Sequence, residues 1–161
     1  VCNATAGRRL VSLVAQTRSQ LGAVSWPGGE RSLFDTLIPE RSAVFPRYLP
    51  WFLRIIDVKA ALGSRGWNKA VRASLDIELI DDDLAENAGR WRLELENGEM
   101  KVTRGGDGDV RLHTRALASL YGSARDSRHL ETLGLLDATD DQHDLIDAIF
   151  CGPTAWMPDR F

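Results

Sequence analysis

The sequence predicts an α+β domain in which a five-stranded, mostly antiparallel sheet is covered on one face by helices. Three observations lead to this fold class. Residues 91–104 have the pattern of a β-hairpin, and further strand candidates flank them. Helical segments then follow the last strand candidate, between residues 114 and 150. Because most strands precede most helices instead of alternating with them, helices on one side of an antiparallel sheet are expected.

The hairpin is the best-defined element of the sequence. Apolar residues alternate with charged ones from Trp91 to Glu96, which is the period of a strand with one buried face. Asn97 and Gly98 then supply the two residues that a type I′ turn needs at positive φ. With these two as the loop, apolar side chains meet on one face and opposite charges meet on the other. The predicted partners are Leu95 with Met100, Glu94 with Lys101, and Leu93 with Val102.

Three further strands complete the predicted sheet. Residues Trp51–Ile56 are apolar on both faces apart from Arg54, which indicates an interior strand. Val71–Leu79 alternates apolar with polar residues, and so does the short stretch Val110–His113. The glycine-rich loop Gly105–Asp109 precedes a strand and not a helix, so we interpret it as a turn and not as a phosphate cradle.

Capping residues mark the predicted helices. Asp57 is placed to accept hydrogen bonds from the free amides of a helix over residues 58–65. After the sheet, Thr114 is the predicted N-cap of a helix, and a second helix spans about Asp126–Leu136. Thr139 opens the last helix with a capping-box pattern.

The beginning of the chain is predicted to be a separate region. Thr5–Leu21 has helical periodicity, Ala23–Trp26 is a short strand candidate, and Glu30–Ile38 is compatible with a second helix. Helix, strand and helix are too little for an independent core, and the proline-containing tract Pro39–Pro50 follows them. We therefore predict a boundary near Tyr48, with residues 1–48 as the end of a preceding domain plus a linker, and residues 49–161 as a domain. The start at Val instead of Met is compatible with a longer polypeptide.

Composition and charge argue against several function classes. A net charge of −3, with basic residues scattered among acidic ones, argues against a nucleic-acid surface. Neither a bilayer-spanning apolar run nor a signal peptide is recognisable, so no membrane partner is expected. Cys2 and Cys151 are interpreted as reduced thiols of a cytoplasmic protein. Because His113, His129 and His143 lack the spacing of a metal site, no metal is predicted.

Several stretches together resemble a known family. They are FLRIIDVKAALGSRGW, NAGRWRLELENGEMKVTR, LHTRALASLYG and the final AWMPDRF. In this order they resemble the sterol-carrier-like domain that ends acetyltransferases of the enhanced-intracellular-survival type. The likeness covers about Leu49–Phe161, and Thr5–Trp26 is loosely similar to the end of the GNAT-like middle domain of that family.

The resemblance implies a function that the residues alone do not. Family members are implied to transfer an acetyl group from acetyl-CoA to amines, including aminoglycosides and lysine side chains, and to assemble as hexamers. Acetyl-CoA would be bound by an upstream acetyltransferase domain that this chain lacks, so the chain alone is expected to be inactive. From this end of the enzyme, the C-terminal carboxylate of Phe161 is implied to act as general base. Trp156 and Met157 would line the acceptor pocket around it.

Two alternatives remain open at this stage. A sterol-carrier-like domain can bind a lipid or another apolar ligand between its sheet and its helices. The second alternative is an oligomerisation or scaffold module without a ligand. The side chains that would line an apolar cavity are Leu117, Leu120, Tyr121, Leu130, Leu133, Leu145 and Ile149.

Overall fold

The computed structural model describes residues 3–28, 34, 37–38 and 51–157. The chain divides into two compact units, one of residues 1–51 and 156–161 and the other of residues 52–155. The predicted boundary near Tyr48 lies outside the described residues. Within the described ranges, no helix combines the length and the apolar composition that crossing a bilayer requires.

The first unit contains helix α1, Ala4–Gln16, at the place where a helix was predicted. The side chain of Asn3 caps it by accepting a hydrogen bond from the amide of Ala6. The helix ends earlier than predicted, because the amide and the hydroxyl of Thr17 both donate hydrogen bonds to the carbonyl of Val14. Residues 23–26 are not a strand, so that prediction was wrong. The helix predicted over residues 30–38 lies largely outside the described residues.

The second unit is built on one sheet, and its five strands confirm the predicted fold class. Their order across the sheet is β3-β2-β1-β4-β5. Neighbouring strands are antiparallel except for β1 and β4, which are parallel. The strands are β1 Ala73–Ile80, β2 Gly89–Glu96, β3 Glu99–Arg104, β4 Val110–His113 and β5 Leu136–Asp137.

The predicted hairpin is confirmed in its register. Leu95 pairs with Met100 and Glu94 with Lys101 across β2 and β3, and the last two side chains form an ion pair of 2.8 Å. The turn residues have the positive φ angles that were expected, 54° at Asn97 and 81° at Gly98.

The strand predicted at Trp51–Ile56 does not form. The side chain of Phe52 is 95% exposed and that of Ile56 is 72% exposed, so the apolar run is not buried within the second unit. Only Ile55 of this segment is buried, and the carboxamide of Asn87 holds it by donating to its carbonyl at 3.2 Å. The fifth strand is instead β5, which pairs with β4.

Four helices pack in the second unit, and their caps are partly as predicted. Asp57 caps the first by accepting from the amide of Ala60, and Gln142 completes the capping box by accepting from the amide of Thr139. His113, and not Thr114, caps the helix after β4 through its Nδ1. The helices are α2 Val58–Ser64, α3 Thr114–Tyr121, α4 Ser127–Thr132 and α5 Asp140–Phe150.

The core lies between one face of the sheet and the helices. The inward residues of β2 are Trp91, Leu93 and Leu95, and they alternate with residues on the charged outer face. From the helices, Leu117 of α3 and Ile146 of α5 pack against this face and are at most 1% exposed. The sheet with helices on one side therefore leaves its other face polar.

Candidate functional site

The predicted site residues lie in the C-terminal tail. Phe161 is outside the described residues. Trp156 is half exposed and Met157 is partly buried, and both belong to the first unit. Their role in an acceptor pocket therefore stays a prediction.

The start of the tail is fastened to the second unit by side chains from two distant parts of the chain. The carbonyl oxygen of Phe150, at the end of α5, accepts hydrogen bonds from Ser123 Oγ at 3.0 Å and from Arg65 Nη2 at 3.2 Å. Arg65 Nη2 also donates to Ser123 Oγ at 3.1 Å. Arg65 is not recognisable from the sequence, because a single basic residue after a helix carries no signal of these distant partners.

Aromatic rings surround the Arg65 guanidinium. Its Cζ lies 4.3 Å from the ring centroid of Trp67, 5.6 Å from that of Tyr121 and 5.7 Å from that of Phe150. Cation–π attraction at these distances favours the charge even where water is displaced. Burial lowers the pKa of Arg65 from its ordinary value, while Tyr121 and Cys151 act in the opposite direction. The guanidinium remains charged at neutral pH.

The chain beyond α5 is held at a second place. Thr154 Oγ1 donates to the carbonyl of Ser123 at 3.2 Å, and the amide of Ala155 donates to the carbonyl of Gly122 at 2.9 Å. Ser123 has a φ of 50°, so the end of α3 turns sharply and presents these two carbonyls to the tail. Cys151 lies within the fastened segment as an exposed free thiol, and Cys2 lies outside the described residues.

An open groove of about 750 Å³ crosses the surface of the second unit beside α2. Trp91 forms a buried part of its wall, and the guanidinium of Arg104 stacks 3.7 Å above the centroid of that ring. Nothing in the sequence pattern indicated this groove, because its walls come from three separated segments. It is lined by Ile56, Asp57, Lys59, Ala60, Gly63, Ser64, Glu86, Asn87 and Trp91.

A buried polar network holds one wall of this groove. Asn87, which is 2% exposed, accepts from the amide of Val58 and donates to Asp81 at 3.2 Å. Arg54 donates to the same Asp81 carboxylate at 2.6 Å. Burial by itself raises the pKa of Asp81. Hydrogen bonds from the amides of Leu84 and Asp83 and from the side chain of Asn87 lower it by more, so the pKa of Asp81 lies below its ordinary value. Asp81 is thus a structural carboxylate.

The interior between sheet and helices is filled. A void among the core side chains there has a volume of about 10 Å³, room for one water molecule at most. Of the side chains predicted to line an apolar cavity, Leu117, Leu120, Leu130 and Ile149 are fully packed in the core. Leu133 is 56% exposed, so its predicted place in the lining was wrong: α4 ends at Thr132, before this residue.

Three carboxylates lie together at the loop between β3 and β4. Those of Asp76, Asp107 and Asp109 have ligand atoms within 4.8 Å of one another, a spacing that a metal ion could bridge. Asp76 is already bound by Arg92, with contacts of 2.8 and 2.6 Å, and by the amide of Asp107 at 2.9 Å. Arg92 is the largest cause of the fall in the pKa of Asp76 to about 2. A guanidinium in this position supplies the positive charge that a metal would bring.

The buried histidine of α5 is held by a hydrogen bond with Ser127. His143 is 2% exposed, and its Nδ1 lies 2.9 Å from the hydroxyl of Ser127, which is fully buried. Its Nε2 lies 3.2 Å from a carboxylate oxygen of Glu131 but makes no hydrogen bond with it. Serine, histidine and carboxylate are thus in contact, but the serine hydroxyl is enclosed by the core and no substrate can reach it. This group fastens α4 to α5.

Comparisons with known proteins agree on the region to which this chain is similar. Residues 58–158 match the family model described as sterol carrier protein domain. This chain is similar to the crystal structure of a GCN5-related N-acetyltransferase from Anabaena variabilis, with 38% sequence identity and a TM-score of 0.91. The similar region covers 97% of this chain and 40% of the chain of that enzyme. A comparison with curated protein sequences found no significant match.

Two further solved structures are similar over a smaller part. A GCN5-related N-acetyltransferase from Kribbella flavida covers 67% of this chain with 31% identity and a TM-score of 0.61, and 29% of its own length is matched. Eis1 from Mycobacterium abscessus covers 67% with 28% identity and a TM-score of 0.56, and 27% of its own length is matched. This chain therefore spans well under half the length of the enzymes that it resembles.

Proposed function

Since this chain belongs to the sterol carrier protein domain family and is similar to part of a GCN5-related N-acetyltransferase, we propose that it is the C-terminal part of an acetyl-CoA-dependent N-acetyltransferase. The observation that carries this proposal is the likeness to the Anabaena variabilis enzyme, which extends over 97% of the chain at 38% identity. In this proposal, residues 1–48 are the end of an acetyltransferase-like domain, and acetyl-CoA binds to an upstream domain outside this chain. The enzyme acts in the cytoplasm.

The chain's chemical contribution is the carboxylate of its last residue, Phe161. A terminal carboxylate has an unperturbed pKa of about 3.5, and burial among apolar groups raises it toward the range of a useful base. Trp156 and Met157, five and four positions before it, supply apolar side chains. The carboxylate would accept a proton from the attacking amine, an aminoglycoside or a lysine side chain, while Trp156 and Met157 line the acceptor pocket.

The exposed apolar segment before α2 supports a contact with the upstream domain. Phe52 is 95% exposed and Ile56 is 72% exposed, which is unusual for large apolar side chains in a folded chain. We propose that the upstream domain covers them, and that the whole polypeptide assembles into a homo-oligomer, a hexamer as the resemblance implies. The native mass of the whole polypeptide and of its Phe52→Ser variant tests the assembly into a homo-oligomer and whether Phe52 takes part in it.

The test of the base uses the whole polypeptide that contains this chain. Release of coenzyme A is followed with acetyl-CoA and either an aminoglycoside or a lysine peptide. Deletion of Phe161, or addition of one glycine after it, displaces the carboxylate and is expected to lower kcat by about 100-fold or more. Phe161→Leu keeps the carboxylate in register and serves as the matched control, with kcat within a few-fold of normal. Near-normal kcat in the deletion variant contradicts the role as base.

The filled interior does not favour the lipid-carrier alternative. A fatty acid or a sterol needs an enclosed cavity of several hundred cubic ångströms, whereas the void between sheet and helices has about 10 Å³ and the groove beside α2 is open to solvent. A scaffold without catalysis predicts that the Phe161 deletion changes assembly and not turnover, so the same variants distinguish it from the enzyme.

A further inference from the structure

The first turn of α3 is capped by a histidine ring. The amide of Arg115 donates to Nδ1 of His113 at 3.1 Å, and Nε of the same arginine lies 3.5 Å from this nitrogen. His113 has the extended backbone of an N-cap, with a φ of −80° and a ψ of 149°. Because Nδ1 accepts the amide proton, it carries a lone pair, and the proton of the neutral ring is on Nε2. The cap therefore exists only while the imidazole is neutral.

The second ring nitrogen of His113 faces a carboxylate. Its Nε2 lies 3.3 Å from Oδ2 of Asp82, in the loop after β1. The side chain of Asp82 is 78% exposed, so water screens its attraction for a protonated ring. On the other side, the guanidinium of Arg115 disfavours a second proton, and Ile80 of β1, which pairs with His113, is uncharged. Nearby on this face lie Arg111 of β4 and its neighbours Glu78 on β1 and Asp137 on β5.

The next residue, Thr114, is a second group that can cap this helix. It is the N-cap that the sequence predicts, and threonine is among the residues preferred at that position. In the structure Thr114 is instead the first residue of α3 and is 1% exposed. Its hydroxyl is buried and makes no hydrogen bond within the part of the chain that the structure describes. A buried hydroxyl without a partner is costly, so the start of α3 holds an unused acceptor.

We propose that His113 and Thr114 are alternative caps of α3 and that the proton on His113 selects between them. With a neutral ring, His113 caps and the helix begins at Thr114. With a protonated ring, Nδ1 becomes a donor and can no longer accept from the amide of Arg115. The helix then begins one residue later, and the Thr114 hydroxyl accepts from the amide of Ala116 or Leu117. Since histidine changes its charge between about pH 5 and pH 8, the start of α3 responds to protons in that range.

The test removes the Thr114 hydroxyl and keeps the size of the side chain. At pH 8, where His113 caps, Thr114→Val should leave the unfolding equilibrium constant unchanged or lower it, because the hydroxyl has no partner there. At pH 5, where the hydroxyl caps, the same variant should raise this constant about 5-fold, the usual effect of losing an N-cap. Urea unfolding of the chain, followed by tryptophan fluorescence, measures both.

His113→Asn provides the matched background. Asparagine caps helices well and takes up no proton between pH 5 and pH 8, so here Thr114→Val should have the same effect at both pH values. His129→Asn is the control, because it removes an exposed histidine of another helix. In that background the 5-fold effect of Thr114→Val at pH 5 should persist.

Nuclear magnetic resonance of the ¹⁵N-labelled chain follows the ring and the cap directly. At pH 8, His113 should be the Nε2–H tautomer, and the amide proton of Arg115 should move upfield by pH 5 as its bond to Nδ1 is lost. An Nδ1–H tautomer at pH 8 overturns the inference. So does an effect of Thr114→Val that is equal at pH 8 and pH 5, or one that still depends on pH in the His113→Asn background.

Discussion

Leu95 lies directly opposite Met100 across the β2–β3 hairpin, and the two side chains are 1% and 6% exposed. Leu95→Ala leaves a cavity in this contact and is expected to lower the free energy of unfolding by about 2–4 kcal/mol. The measurement is urea unfolding of the chain, followed by tryptophan fluorescence. Leu133→Ala is the matched control: it removes the same atoms from a side chain that is 56% exposed, so it should change the free energy by less than about 0.5 kcal/mol. Equal losses in the two variants contradict the burial of Leu95 against Met100.

Gly98 is required by the turn of this hairpin. Its φ is 81°, and a Cβ added there would lie 2.8 Å from Cγ of Lys69 and 3.2 Å from the carbonyl oxygen of Trp67. Gly98→Ala therefore combines backbone strain with a close contact and should cost about 1–3 kcal/mol of unfolding free energy. Gly66→Ala serves as control because nothing lies within 4 Å of its added Cβ, and its effect should be neutral or slightly stabilising. Tm measurements on both variants test the contrast.

The sequence was sufficient to predict the elements whose pattern is local. The register of β2 and β3 follows from alternation and from the Asn97-Gly98 turn, and both are contained in fourteen residues. The caps at Asp57 and Thr139 are equally local, since each is read within four positions.

The sequence was not sufficient to predict the elements whose burial depends on residues far away in the chain. Trp51–Ile56 has the composition of an interior strand, yet Phe52 and Ile56 are exposed in the second unit, and composition cannot tell which surface covers an apolar run. Strand β5 has only two residues, too few for alternation to be visible. The anchor of the tail was missed for the same reason: Arg65, Ser123 and Phe150 come together only through the fold.

The apolar interior leads to a prediction about ligands. Because the void between the sheet and helices α3 and α5 is about 10 Å³ and the groove beside α2 is open to solvent, a fluorescent fatty acid should show no saturable binding to this chain at micromolar concentration. The measurement is a fluorescence titration, with the urea-unfolded chain as control for nonspecific partitioning. One-to-one saturation with the folded chain contradicts the prediction and would favour the lipid-carrier alternative.

The Asp76–Arg92 pair leads to a prediction about pH. The pKa of Asp76 falls to about 2 in the folded chain, below the value of about 3.9 for an unfolded aspartate. A carboxyl group whose pKa is lower in the folded state stabilises the fold above its unfolded pKa, and this stabilisation is lost as the pH falls toward 2. Allowing for screening at the half-exposed Arg92, the contribution at neutral pH is on the order of 1–2 kcal/mol.

Asp76→Asn tests this linkage through urea unfolding between pH 7 and pH 2. The difference in unfolding free energy from the unmodified chain should be largest above pH 5, and it should shrink between pH 4 and pH 2 as Asp76 of the unmodified chain takes up its proton. Asp109→Asn is the control: this carboxylate belongs to the same cluster but is exposed, so its effect should stay within about 0.5 kcal/mol at all pH values. A difference in unfolding free energy that does not vary with pH contradicts the role of the Asp76 charge. The lower stability of Asp76→Asn would then come from packing around Gly106, whose backbone lies against the Asp76 carboxylate.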